Sequence, residues 1–323
     1  MSATNISTLP KALKGRKLPA SFGFYSSDLL YDPNYEHDAC GVGFIADING
    51  EKSHDIIQMG LTALKNLQHR GAFGAEENTG DGTGLTLQIP HSFFEKEAKN
   101  LGFNLAKSGE YAIGVLFLPR NAADRKQCEK ICEQQIRKAH MKLLGFRTVP
   151  TKNSHIGATA RNSEPYIRQI FIAKDKTIKT GQIFESMLYL MRRRIENAIN
   201  NSSISSKELF YIPSFSSKTI VYKGMLSAEQ IEAYYPDLAD SLFKSAIVIV
   251  HQRFSTNTFP SWQLAHPFRY LAHNGEINTL QGNKNRMRAR EHTFTSQLFG
   301  KNIKELLPII QPGSDSANID NAL

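Results

Sequence analysis

Cysteine is scarce in this chain. Three occur in 323 residues, Cys40, Cys128 and Cys132. So sparse and odd a set excludes a disulfide framework and fits a reducing compartment, so the cytoplasm is expected ahead of a plastid stroma. Long apolar runs are missing too: nothing approaches the ~20 residues that a membrane span needs, and Ala246–Val250 is only strand-sized. There is no internal repeat and no low-complexity tract. Clustered basic charge is also lacking. The formal net charge of +9 raises the question of an acidic partner such as nucleic acid, but the cations are spread along the chain. The one tight run, Arg192-Arg193-Arg194, falls in a helical pattern and reads as a solvated helix face, so no nucleic-acid partner is expected. Before Asp28 there is no acid, whereas Lys11, Lys14, Arg16 and Lys17 are all basic. That start resembles a weak transit peptide without the apolar core of a secretory signal. Cys128 and Cys132, four apart on a predicted helix, have no flanking ligands at zinc spacing. They read as two small buried residues on one face, and no metal is expected.

What the sequence does have is a globular balance, 41% hydrophobic and 21% charged, and length enough for one large domain or two ordinary ones. Residues 1–38 show no sustained periodicity. Order begins with a short apolar strand, Gly41–Ala46, and the turn signal Asn49-Gly50. Ser53 caps a helix carrying Ile56, Ile57, Leu61, Leu64 and Leu67 on one face, with Gly71 as its stop. A glycine-dense loop, Asn78–Gly84, leads into a strand at 85–89. Strands are expected at 111–118, 166–173 and 245–254, and a hairpin at 270–278. Helices are expected at 123–144, 182–199 and 280–292, with a Ser227/Gln230 capping box opening a shorter one. The mixture has no βαβ cadence, so the expectation is an α+β sandwich rather than a doubly wound parallel sheet. The sequence stops where a helix capped by Ser314 or Asp315 is starting, which reads as a C-terminally incomplete fragment.

Four groups of residues can carry chemistry. Cys40 stands between the irregular start and the first buried strand. A thiol must ionise to attack, and a cysteine exposed as a new N-terminus brings its own base, an α-amine of pKa about 7.7–8.0. Small neighbours in Asp38-Ala39-Cys40-Gly41-Val42-Gly43 allow close approach; a buried structural cysteine fits the same pattern. In His273-Asn274-Gly275-Glu276, the Asn274 side-chain amide and the Gly275 N–H can hold a developing oxyanion, or form a plain Asn-Gly turn. Arg253, at the end of the strongest strand, has the fork to grip a carboxylate, or to pair with any acid. Asp315 can meet an ammonium group, or cap a helix.

Taken in order, the runs CGVGF from Cys40, LQHRGA from Leu67, TGDGTG from Thr79, HQRFSTNTFPSW from His251, HNGEINT from His273 and SDSANIDN from Ser314 resemble the glutaminase domain of class II, N-terminal-nucleophile amidotransferases. The TGDG loop and the long HQRFSTNTFPSW run are similar to those of the glutamate synthases within that class. The resemblance implies a four-layer αββα sandwich with largely antiparallel sheets over residues 40–323, and a propeptide or leader over 1–39. By the same resemblance Cys40 is the nucleophile, Asn274 and Gly275 form the oxyanion hole, Arg253 holds the glutamine carboxylate, and Asp315 holds its amine. Arg70, Gly80, Asp81 and Gly82 support the site's architecture. L-glutamine is then the substrate. The remaining synthase domains, carrying FMN and an iron–sulfur cluster, and an electron-donor subunit or ferredoxin, are the partners of a complete enzyme. No cofactor is expected in this chain. An unprocessed, silent binding or regulatory module, a salt-sensitive nucleic-acid binder, or another class II amidotransferase are the competing readings.

Overall fold

Apolar alternation builds eight strands among the described residues: β1 (Val42–Ala46), β2 (Thr83–Gln88), β3 (Tyr111–Leu118), β4 (Lys142–Thr148), β5 (Tyr166–Ala173), β6 (Tyr211–Ser216), β7 (Thr219–Gly224) and β8 (Ile247–Gln252). Helices α1 (His54–Asn66), α2 (His91–Asn100), α3 (Ala122–Lys138), α4 (Ala158–Asn162), α5 (Gln182–Asn200), α6 (Gln230–Tyr234), α7 (Leu280–Glu291) and α8 (Asp315–Ala322) join them. The structure is a computed structural model, and it describes residues 41–73, 76, 78–252, 258–275 and 277–323. Cys40, Arg253 and Glu276 lie outside the described residues.

Two four-stranded sheets form, in the orders β1-β8-β2-β7 and β4-β5-β3-β6, and every pairing is antiparallel. The α+β class and the antiparallel sheets are as expected, and agree with the N-terminal-nucleophile type of sandwich. Period-2 alternation on β3 feeds two cores. Ile113, Val115 and Phe117 join side chains of the other sheet, Leu85, Leu87, Tyr222, Val248 and Val250. Ala112, Leu116 and Leu118 face α3 and α5, where Cys128, Cys132, Leu188 and Ile195 pack. Helix α1 lies along β8 and β1; its cap Ser53 accepts the Ile56 N–H at 3.3 Å, as the sequence predicts. Strands β6 and β7 are consecutive but lie in different sheets, and the Val221 N–H bonds to the Ser214 side chain at 3.2 Å. The two sheets meet at this connection.

A buried ionic cluster ties the sheets to their connections. Arg147 on β4 is 4% exposed and grips Asp237 through two bonds of 2.7 and 2.8 Å. It also reaches Glu97 at 2.7 Å and Gln169 at 3.0 Å.

Several expectations are corrected. The helix expected through residue 144 ends at Lys138, and its last six residues split between a turn and β4. His140, in the left-handed region at φ 56, makes that stop, with Met141 N–H bonded back to Ile136 O at 3.2 Å, the geometry of a Schellman end without its usual glycine. Residues 270–275, 277 and 278 form no strand, because side chains, not a ladder, satisfy their backbone. The arginine run is no solvated face. Arg192 and Arg193 are each 2% exposed; both pair with Glu196, and Arg193 also donates to the carbonyls of Leu306 and Pro308. Gly71 has φ −72 and is no left-handed stop. Of the Ser227/Gln230 box, the half from Gln230 to the Ser227 N–H is present. Helix α2 and strands β6 and β7 were not legible at all.

Candidate active site

Strand pairing brings the first described residue to the site. Val42 pairs with His251, and one step further the Gln252 N–H donates to the Gly41 carbonyl at 2.8 Å. Gly41 is also pressed against the side chain of Asn274. A β-carbon added there would lie 2.9 Å from Asn274 Oδ1 and 2.9 Å from the Gln252 carbonyl, closer than such atoms approach. Glycine next to residue 40 is therefore what lets the Asn274 turn sit over the start of β1.

Histidines hold that turn from below. His251 Nε2 lies 2.8 Å from the His273 carbonyl; a carbonyl only accepts, so His251 carries its proton on Nε2. The His251 ring stacks on His266 at 4.2 Å. His266 is buried, and burial, with His251 next to it, pushes its pKa down to about 2, so the His266 ring is neutral at ordinary pH.

The other end of the turn is held by α8. Ser314 caps this helix, accepting the Ala317 N–H at 3.1 Å, so Asp315 is released from the capping role open to it in the sequence. Its carboxylate is 2% exposed. Oδ2 accepts the Ile277 N–H at 3.0 Å and Oδ1 the Ser316 N–H at 2.6 Å. Each oxygen has further acceptor capacity. Asp315 lines an open cavity of about 340 Å³ together with Ile277, Leu280, Met287 and Ile319. Helix α8 is anchored from behind by Arg269, which pairs with Asp320 at 3.1 Å and donates to Asn321 at 2.7 Å.

The supporting motifs form one stitched turn. Arg70 ends a 3₁₀ turn, Gln68–Arg70, and the following residue packs against the Gln252 side chain. Phe73 bridges Gly80, the Asp81 N–H donates to Ala72 O at 3.0 Å, and Thr83 Oγ1 donates to His251 O at 3.0 Å. Gly80 lies so close to the Leu226–Ser227 backbone that a β-carbon would sit about 2.3 Å away; Gly82 has φ +145. Glu76 pins this turn to the start of α4, accepting from Ala158 N, Thr159 N and Thr79 Oγ1 at 2.7–3.0 Å. These bonds, led by that from Thr159, hold its carboxyl down at about 2.

Gly41, Asn274, Gly275 and Asp315 thus share one corner of the molecule, with the Arg70 and Gly80–Gly82 turn packed beside it through Gln252. Sequence reasoning missed Gln252, His266, Ser316 and Glu76, and gave His251 and His273 no role of their own; position within the quoted runs was the only signal for most of these. Cys128 and Cys132 are away from this corner, fully buried on α3. Burial pushes the Cys128 thiol up to about 12 and raises that of Cys132 as well. Among the described residues no group of acids, histidines or cysteines can hold a metal ion, and no helix is long and apolar enough to cross a membrane.

In sequence the chain is similar to known proteins. The chain is 48% identical over 294 residues to "Glutamate synthase [NADPH] large chain" of Bacillus subtilis, covering 91% of this chain and 19% of that protein. It is 44% identical over 304 residues to "Glutamate synthase [NADH]" of Saccharomyces cerevisiae, covering 91% and 14%. It is 41% identical over 294 residues to "Ferredoxin-dependent glutamate synthase 2, chloroplastic" of Arabidopsis thaliana, covering 91% and 18%. The chain therefore spans under a fifth of the length of these relatives. Residues 40–323 match the sequence model of the family described as "Glutamine amidotransferases class-II", and the chain belongs to that family.

Proposed function

We propose that this chain is the glutamine-hydrolysing part of a glutamate synthase and that Cys40, freed as an N-terminus by removal of residues 1–39, is its nucleophile. The observation that supports this most is the seating of Gly41 against Asn274, which sets the residue after Cys40 beside a side-chain amide.

In this reading the α-amine of Cys40 takes the thiol proton, and the thiolate attacks the side-chain amide carbon of glutamine. Asn274 and the Gly275 N–H hold the oxyanion. Arg253 grips the α-carboxylate and Asp315 the α-ammonium. The amine returns its proton to the departing nitrogen, ammonia leaves, and water hydrolyses the γ-glutamyl thioester to glutamate. Ammonia is then destined for reductive amination of 2-oxoglutarate in further domains of the length seen in the relatives. FMN and an iron–sulfur cluster belong to those domains, and an electron-donor subunit or ferredoxin supplies the electrons. The cytoplasm is the compartment we assign.

A diazo-ketone analogue of glutamine tests the nucleophile. Peptide mass spectrometry is expected to find the adduct on Cys40 alone, in molecules whose chain starts at Cys40. Cys128 and Cys132, buried and with raised thiol pKa values, do not compete. Adduct on either of those, or full turnover by molecules still carrying residues 1–39, would overturn the assignment.

A further inference from the structure

The turn carrying the proposed oxyanion donors is held at both ends by two adjacent residues of α8. At one end the Ile277 N–H donates to Asp315 Oδ2 at 3.0 Å. At the other, His273 Nδ1 lies 3.0 Å from Ser316 Oγ, and Ser316 Oγ lies 3.2 Å from Asp315 Oδ1. Ser316 is 2% exposed, so water does not substitute for these partners.

Proton accounting orders the chain of contacts. A carboxylate only accepts, and a serine hydroxyl has one proton. If the hydroxyl serves Asp315, it has none left for His273, so the imidazole must donate. The sequence His273 Nδ1–H to Ser316 Oγ, then Oγ–H to Asp315 Oδ1, is the one arrangement that makes both contacts hydrogen bonds. Where the ring carries a single proton, that proton is on Nδ1 and Nε2 is the bare nitrogen.

We infer that Ser316 is a positioning residue: its hydroxyl closes a clamp from Asp315 through Ser316 to His273, fixing the His273 tautomer and with it the aim of Asn274 and Gly275. The consequence for turnover rests on the function proposed above; the tautomer does not. Asp315 thereby serves the turn as well as the substrate amine, and the two ends of the substrate are recognised by one connected unit.

The test has two arms on the full chain. In protein labelled with ¹⁵N-histidine, the ring shifts of His273, assigned by loss of the signal in His273→Gln, are expected to show a protonated Nδ1 and a bare Nε2. In Ser316→Ala the two tautomers are expected to mix. In glutamine hydrolysis, Ser316→Ala is expected to lower kcat roughly 3- to 10-fold, the worth of one buried hydrogen bond, with KM nearly unmoved, and Ser316→Thr to restore it. A bare Nδ1 in the unsubstituted protein overturns the clamp even if Ser316→Ala does not fold. Unchanged kcat in Ser316→Ala overturns its role in the reaction. A chain that shows the expected tautomer but hydrolyses no glutamine leaves the clamp standing and counts against the proposed function instead.

Discussion

Replacing Gly41 with alanine puts one methyl group where there is no room for it. The added carbon would sit 2.9 Å from Asn274 Oδ1 and 2.9 Å from the Gln252 carbonyl, whereas ordinary contact lies at 3.4–4 Å. Relief therefore needs a shift of about 0.5–1 Å, comparable with the ~1 Å misplacement that costs on the order of 10²-fold in rate. The Gln252 carbonyl belongs to β8 and accompanies the ladder bond to Gly41, so the Asn274 turn is the part that gives. Outright loss of one oxyanion donor costs about 2.7–4 kcal/mol, which bounds the effect. Gly41→Ala is expected to lower kcat for glutamine hydrolysis by about 10- to 100-fold. Measurement of glutamate release, with mass spectrometry to verify that the chain begins at Cys40, decides it. Gly43→Ala is the control, because its added carbon meets Val250 Cγ2 at 3.5 Å and Leu67 Cδ1 at 3.9 Å, both ordinary contacts; turnover should stay near the parent's. Full activity in processed Gly41→Ala would refute the idea that this contact sets the oxyanion turn.

Other expectations concern stability. Arg147→Met leaves Asp237, paired at 2.7 and 2.8 Å, buried without its cation; breaking such a pair costs about 3–5 kcal/mol, read as a lower urea midpoint, and an unchanged midpoint sinks this. Glu196 is pushed up by burial but pulled down more strongly by Arg192, then Arg269 and Arg193, and its carboxyl is held at about 2 against 4.5. A depressed carboxylate adds stability above its unfolded value and loses it as pH falls through its folded value. The contribution should therefore erode between pH ~4.5 and ~2, and Glu196→Gln should flatten that part of the urea-midpoint profile; parallel profiles would rule this out.

Strands with strong β-branched and aromatic content and clear borders were legible: β3 and β5 match their expected bounds. Strand β4 was not, because Lys142–Thr148 follows α3 with no glycine or proline between, and the break is made by His140 in a conformation that sequence rarely signals. The β6–β7 connection was hidden for a related reason: its turn at Ser217-Lys218 has none of the Asn-Gly chemistry that marks tight turns between strands. Buried Arg193 donates to the carbonyls of Leu306 and Pro308, more than a hundred residues away, so local charge patterning pointed the wrong way. At the candidate site, residue identities in the quoted runs were what singled out Asn274, Gly275 and Asp315. The Ser316 and His251 contacts are tertiary, and nothing in local spacing encodes them.

Pairing of β1 with β8 also sets a schedule. The two strands are about 210 residues apart in sequence, so at roughly 5–20 residues per second a ribosome needs about 10–40 s between making one and making the other. Throughout that interval Gly41 has neither Gln252 nor Asn274 to rest against. The corner that joins them is a late product of synthesis, and a nascent chain holding only its first sheet partners is chemically unassembled.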